Sequence, residues 1–172
     1  MNKDYLLDTN IVGFLTEAVN DNPIRKEAII LKKRLRTISK ESKLLYCSIN
    51  SGEIKYGMNT AKKEIRTSLK AVSDFISTKI ILPIDKYVAE EAYADLRARL
   101  FEKYAPKTGK SKKRLEEWID PTSSKTLGIQ ENDLWLVAVA LTFNLTVVSH
   151  DKMTALKAVC NTEVQFEDWL IL

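Results

Sequence analysis

The sequence holds one histidine, His150, and two cysteines, Cys47 and Cys160, among 172 residues. That scarcity restricts the chemistry. A Ser-His-Asp or Cys-His mechanism exists here only if His150 is the base, and a zinc site built from Cys and His lacks its donors. Both cysteines sit in apolar stretches without metal-ligand spacing, which predicts free core thiols in a reducing compartment rather than a disulfide framework. No apolar run reaches the roughly 18 residues that a bilayer-crossing helix needs. Lys3 and Asp4 stand where a signal peptide needs an apolar core. A cytoplasmic protein with no membrane partner is therefore expected. Glycine and proline are few (five and four), and neither a low-complexity tract nor a solenoid-length repeat is present, which excludes fibrous, disordered and repeat classes.

What remains is an ordinary globular composition, 45% apolar, and a length that predicts one domain over residues 1–172 with a core of its own. The net charge of +4 is unevenly spread: residues 25–43 carry eight Lys/Arg against Glu27 and Glu41, and residues 103–114 carry six with no acid. Such patches suit a polyanion such as nucleic acid, and a solvated helix face plus a loop accounts for them equally well. The candidate contacts are Arg25, Lys32 and Lys33 in the first patch and Lys110, Lys112, Lys113 and Arg114 in the second.

Short Val-, Ile- and Leu-rich runs at 5–7, 44–47, 79–82, 146–149 and 164–166 read as strands buried on both faces. Helical periodicity fills 11–19, 24–39, 49–60, 65–77, 88–101, 134–143 and 153–159. The alternation predicts an α/β sandwich: a central, mostly parallel sheet of four to five strands with helices on both faces. Residues 104–129 are irregular, a basic insertion broken by Pro106, Gly109, Pro121 and Gly128, with room for one short helix at 112–118. A connection of this length is usually functional or disordered. Its lysines and Trp118 suit phosphate contact and base stacking; a solvated insertion fits as well.

Four acids stand at element junctions. Asp8 ends the first strand in LLDTN, Glu53 follows the second in CSINSGEIKYG, Asp133 opens the most apolar helix in QENDLWLVAVAL, and Asp151 follows a strand in VVSHDKM. Each has a local explanation. Asp8 and Asp151 can cap helices, Asn50 to Glu53 has capping-box spacing, and Asp133 suits a helix dipole. In a parallel α/β sheet, however, all strand-to-helix junctions share one edge, so acids from separate junctions can converge in one crevice, and Asp133 joins them if its helix N-terminus points to that edge. Crowded carboxylates repel unless a cation neutralises them, and oxygen-only ligands select Mg²⁺ or Mn²⁺.

With these blocks in order across nearly the whole chain, the sequence resembles the PIN-domain ribonucleases, in particular the VapC-type toxins of toxin–antitoxin pairs. The match covers LLDTN, S-I-N-S-G-E-I-K-Y-G with Glu53 and Gly57, N-D-L-W-L-V-A-V-A-L, V-V-S-H-D, and the terminal F-E-D-W with Trp169. The resemblance implies a PIN-like three-layer sandwich and metal-dependent hydrolysis of RNA phosphodiesters. Asp8, Glu53, Asp133 and Asp151 would be the catalytic and metal-binding acids, and Thr9, Asn10 and Ser149 would support the site. It also implies a small antitoxin partner and a homodimer. Two features depart from the pattern: His150 beside Asp151, and the insertion at 104–129. The rival readings are a metal-dependent phosphatase and a non-catalytic RNA-binding or interaction module of the same fold.

Overall fold

The computed structural model describes residues 3–20, 22–105, 114–160 and 162–171. Five short strands form one sheet: β1 (Tyr5–Leu7), β2 (Leu44–Cys47), β3 (Ile81–Leu82), β4 (Thr146–Val148) and β5 (Phe166–Glu167). Every pairing is parallel, and the order is β3-β2-β1-β4-β5.

Side-chain alternation along these strands feeds two separate cores. Leu6, Leu45, Cys47 and Val147 face one side, while Tyr5, Leu7, Tyr46 and Val148 face the other. The first face is covered by α5 (Ala94–Tyr104), α6 (Glu131–Thr142) and α7 (Thr154–Cys160). The second is covered by α1 (Thr9–Ala18), α2 (Lys26–Leu35), α3 (Ser48–Thr60) and α4 (Lys63–Ser77). Helix α1 buries Ile11, Val12, Leu15 and Ala18, one stripe at helical spacing. Helix α6 buries six residues between Leu134 and Ala140, so that little beyond its first turn and Trp135 meets solvent. Trp169 closes the second core edge-on against Tyr5, with ring centroids 4.9 Å apart.

Most of the expected elements are present with their bounds within three residues of those expected, and a few differ more. The second helix is shorter than the expected 24–39, since Ile24 is 89% exposed and has no core to join. β3 is confined to Ile81–Leu82, an edge strand. The expected helix over 88–101 begins with a π-helical turn at Val88–Tyr93 before α5. In the insertion, the only helical turn among the described residues is a 3-10 turn at Leu115–Glu117. The segment after it is a tied loop rather than loose chain: Ile119 and Thr126 form an antiparallel bridge, and Leu127 N–H donates to Trp118 O at 2.8 Å.

Trp118 is 7% exposed and packs in the first core with Leu115 and Ile129. It meets Phe101 edge-on, so it is a core anchor and not the base-stacking surface the sequence suggested. Cys47 and Cys160 are buried free thiols, as expected, and burial pushes the Cys160 thiol up to about 11. Among the described residues no helix is long and apolar enough to cross a membrane.

Candidate metal centre

Strand order reverses between β1 and β4, because the chain runs outward through β2 and β3 and returns to the opposite side of β1. Open α/β sheets bind ligands at the carboxyl ends of the strands flanking such a switch point. Asp8 lies directly after β1 and Ser149 directly after β4. The Asp8 N–H donates to Val148 O at 2.9 Å, which fixes the two strand ends in register.

Asp8 is 8% exposed and is held from two sides. Its Oδ1 accepts from the Thr9 N–H at 2.6 Å and its Oδ2 accepts from Ser149 Oγ at 2.6 Å. It therefore caps α1 and also stands in the crevice. Burial raises its pKa, and the charges of Asp151 and Glu53 add to that against the two hydrogen bonds. Asp133 is in the first turn of α6, where its Oδ2 accepts from the Gln130 N–H at 3.1 Å and closes a capping box. Burial, helped by Asp8, Asp151 and Glu53, pushes its carboxyl up to about 6.

Asp151 is exposed at the rim, its N–H donating to Ser149 Oγ at 3.0 Å. Three ligand oxygens, one each from Asp8, Asp133 and Asp151, lie within 4.8 Å of one another. Two oxygens on one Mg²⁺ stand at most about 4.2 Å apart, since each bond is about 2.1 Å. Neighbouring oxygens in an octahedral shell stand only about 3 Å apart, a spacing toward which a bound cation would draw the three carboxylates. The all-oxygen donor set and the raised pKa values fit a hard divalent ion.

Glu53 is next to this group but differently engaged. It lies in the second turn of α3, and its carboxylate accepts from Thr9 Oγ1 and, at 2.7 Å, from Asn132 Nδ2. The expected capping box from Asn50 to Glu53 does not form, because α3 begins earlier, at Ser48. Asn50 instead accepts from the Cys47 N–H at 2.8 Å and donates to Thr9 Oγ1 at 3.0 Å. Asn50, 1% exposed, and Asn132 are the supporting residues that motif reading missed. The signal for Asn50 was its place three residues after Cys47, where an asparagine side chain can reach back to the strand end.

Of the three polar residues expected to support the site, Thr9 links Asn50 to Glu53, and Ser149 bonds Asp8. Asn10 donates to Ser149 Oγ at 3.2 Å and Asp151 Oδ2 at 3.0 Å while accepting from the His150 N–H at 3.3 Å. The His150 ring is occupied elsewhere, with Nδ1 2.9 Å from Asp168 Oδ2.

The basic candidates divide. Arg25 is a strut for α1: it pairs with Glu17 at 2.5 Å, donates to Gly13 O at 2.8 Å and lies over the Phe14 ring. Lys32 reaches Asn20 O at 2.6 Å. Lys33 and Arg114 are exposed. Lys110, Lys112 and Lys113 lie outside the described residues.

Two clefts flank the carboxylates. One, about 400 Å³, adjoins Asp133 and Asp151 and is walled by the insertion. The other, about 270 Å³, is lined by Glu53, Tyr56 and Asn132.

No family model matches the sequence, and no curated protein matches it. Solved structures do match the fold. A chain of VapBC-1 from nontypeable Haemophilus influenzae superposes with a TM-score of 0.64 at 20% identity, over 97% of this chain and 98% of that one. A chain of VapBC2 from Rickettsia felis, bound to a DNA fragment from their promoter, gives 0.64 at 21%, over 96% and 98%. A chain of DNA-bound VapBC from Salmonella typhimurium gives 0.64 at 20%, over 98% and 99%. The architecture they share with this chain is the PIN-like α/β fold.

Proposed function

We propose that the protein is a divalent-metal-dependent endoribonuclease and the toxin component of a two-protein toxin–antitoxin pair. The observation that carries this reading is the meeting of Asp8, Asp133 and Asp151 at the sheet's switch point, three acids from distant parts of the chain with oxygens within 4.8 Å. Such crowding costs stability unless a cation compensates it. The likeness to chains of VapBC complexes supports the toxin assignment and a small antitoxin as partner. RNA as substrate follows from the family resemblance of the sequence blocks.

Asp8, Asp133 and Asp151 would hold a Mg²⁺ or Mn²⁺ ion here, which would offset charge on the phosphate oxygens and lower the pKa of water. Asp8 and Asp151 present ligand oxygens from adjacent strand ends, and Asp133 completes the set from the opposite helix. Ser149 and Asn10 hold Asp8 and Asp151 in orientation, as partners of ligands generally do. Glu53, fixed by Thr9 and Asn132 and lining its own cleft, would orient an attacking water. Exposed Lys33 and Arg114 are available to the RNA backbone, whereas Arg25 acts mainly by bracing α1. Exposed Ile65 on α4 and Ile80 beside β3 are apolar surface available to a homodimer contact.

The test is cleavage of labelled oligoribonucleotides by the purified protein with Mg²⁺, Mn²⁺ or EDTA, beside small phosphomonoesters as a control. RNA cleavage that requires metal and falls by orders of magnitude in Asp8→Asn is expected. Equal activity in Asp8→Asn, or turnover of the monoesters alone, overturns the reading.

A further inference from the structure

The seat for an ion leaves most of the larger cleft unexplained. This cavity of about 400 Å³ is lined by Asp133 and Asp151, by the loop after Trp118 and by residues around Met153. Five charged side chains line it: Asp120, Lys125, Asp133, Asp151 and Lys152. Two of the acids belong to the metal set. Asp120 is spent on its own turn, accepting from the Thr122 N–H at 2.8 Å and the Ser123 N–H at 3.4 Å.

What remains is Lys125 and Lys152. Neither ammonium group has a hydrogen-bond or ion-pair partner among the described residues. One comes from the insertion and the other directly follows Asp151, so two separate segments of the chain each bring a lysine to the cavity. The lining also has apolar residues, among them Leu127, Ile129 and Met153. Two cationic groups beside the candidate metal site together with an apolar lining match a nucleotide: a phosphate for the lysines and a base for the apolar residues. The volume is at the lower end of small-ligand sites, enough for one nucleotide and too little for a stacked duplex.

The backbone around the cavity is unusual in the same place. Of the four described residues with positive φ, Gly128 (62°) and Met153 (45°) line the cavity and Ser124 (56°) lies between two lining residues. Met153 holds a conformation that side chains like its own rarely adopt, and such outliers concentrate where a shape is required for function.

We infer that this cavity is a nucleotide subsite of the nuclease. Lys125 and Lys152 bind the phosphate adjoining the scissile one, and the cavity takes up the unpaired base of that nucleotide. The inference rests on the ribonuclease reading and adds to it that the substrate is single-stranded at this position and that the insertion sets a base preference there.

The experiment uses the full chain carrying Asp8→Asn, so that binding is read without cleavage, and a fluorescein-labelled single-stranded 12-mer RNA of random sequence in Mg²⁺. Combined Lys125→Ala and Lys152→Ala weakens binding at least tenfold and lowers the slope of log affinity against log salt by about one, the loss of a phosphate contact. Thr126→Trp, an exposed position on the cavity wall, fills the space and weakens binding with the salt slope unchanged. In the chain with Asp8 intact, the same Thr126→Trp flattens base preference at one position beside the cut in a randomised RNA pool.

Unaltered RNA affinity and slope in the double lysine variant, or unaltered affinity in Thr126→Trp, overturns the subsite, whatever those variants do to a protein partner. Cleavage that persists alongside that result leaves the nuclease standing. Lysine-dependent RNA binding by a parent chain that cuts nothing sinks the nuclease reading alone.

Discussion

Asn10 donates to the Asp151 carboxylate at 3.0 Å across 141 residues of sequence, tying the first turn of α1 to the loop after β4. Asp151 is the exposed member of the carboxylate group, and apart from its own backbone anchor at Ser149 this amide is what fixes its direction. Removing it frees a charged side chain to turn into solvent. Asn10→Ala is expected to weaken Mn²⁺ binding by about 10- to 100-fold, read by calorimetry, with little change in melting temperature because Asn10 adds nothing to the apolar core. Unchanged affinity would show that Ser149 alone positions Asp151.

Asp133 provides the pH dependence. Its folded pKa, about 6, is above the ordinary 3.8, so between these values the folded state binds more protons than the unfolded one. The metal-free protein therefore loses stability as pH rises from about 4 to about 6; burial raises the Asp8 carboxyl in the same sense. Melting temperature without metal should be higher at pH 5 than at pH 7, and added Mg²⁺ or Mn²⁺ should narrow the gap by stabilising the pH 7 protein. Asp133→Asn keeps an oxygen for the Gln130 N–H while deleting the buried charge. It is expected to melt higher than the parent at pH 7 in EDTA and to have lost cleavage, a trade of stability against function. A lower melting temperature for Asp133→Asn would mean that the charge is already compensated within the protein.

Trp118 separates the two explanations of the insertion. Buried at 7% exposure between Phe101 and the first core, it behaves in the structure as an anchor for the loop that walls the larger cavity. Trp118→Ala should cost roughly 3–5 kcal/mol, the usual loss for a large aromatic removed from a core, measured by urea denaturation. A stacking platform would instead lose RNA affinity at constant stability.

The contrast between Trp118 and Leu6 shows what the sequence can carry. Leu6 belongs to a strand buried on both faces, and such strands announce themselves as apolar runs whatever surrounds them. Asp8 and Asp151 could be brought together on paper because parallel topology places every strand-to-helix junction on one edge, whereas Asp133 joins them because the N-terminus of α6, which follows the insertion and not a strand, points to that same edge. Trp118 sits among breakers and lysines, and its burial depends on a loop closed by backbone hydrogen bonds between Trp118 and Leu127 that no local pattern encodes. Asn50 was hidden by a boundary: with α3 starting at Ser48, the apparent box with Glu53 shifts back to Cys47. The π-helical turn at Val88–Tyr93 is likewise a slip in phase within a segment that reads as continuous helix.

Glu53 is the acid whose contacts differ most from those of its neighbours, and the consequence is measurable. The carboxylate is occupied by Thr9 and Asn132, and its oxygens are not among those that converge with Asp8, Asp133 and Asp151. Glu53→Gln preserves shape and one carbonyl acceptor while removing charge from the edge of the site. If Glu53 orients the attacking water, the affinity for the first Mn²⁺ should stay within a few-fold of the parent while kcat falls by about 10²–10⁴, the usual range for losing a general acid or base. Asp8→Asn should lower both together, since it removes a ligand. A Glu53→Gln protein that loses Mn²⁺ as completely as Asp8→Asn would place Glu53 among the ligands, with a rotation of its side chain away from Thr9 on metal binding.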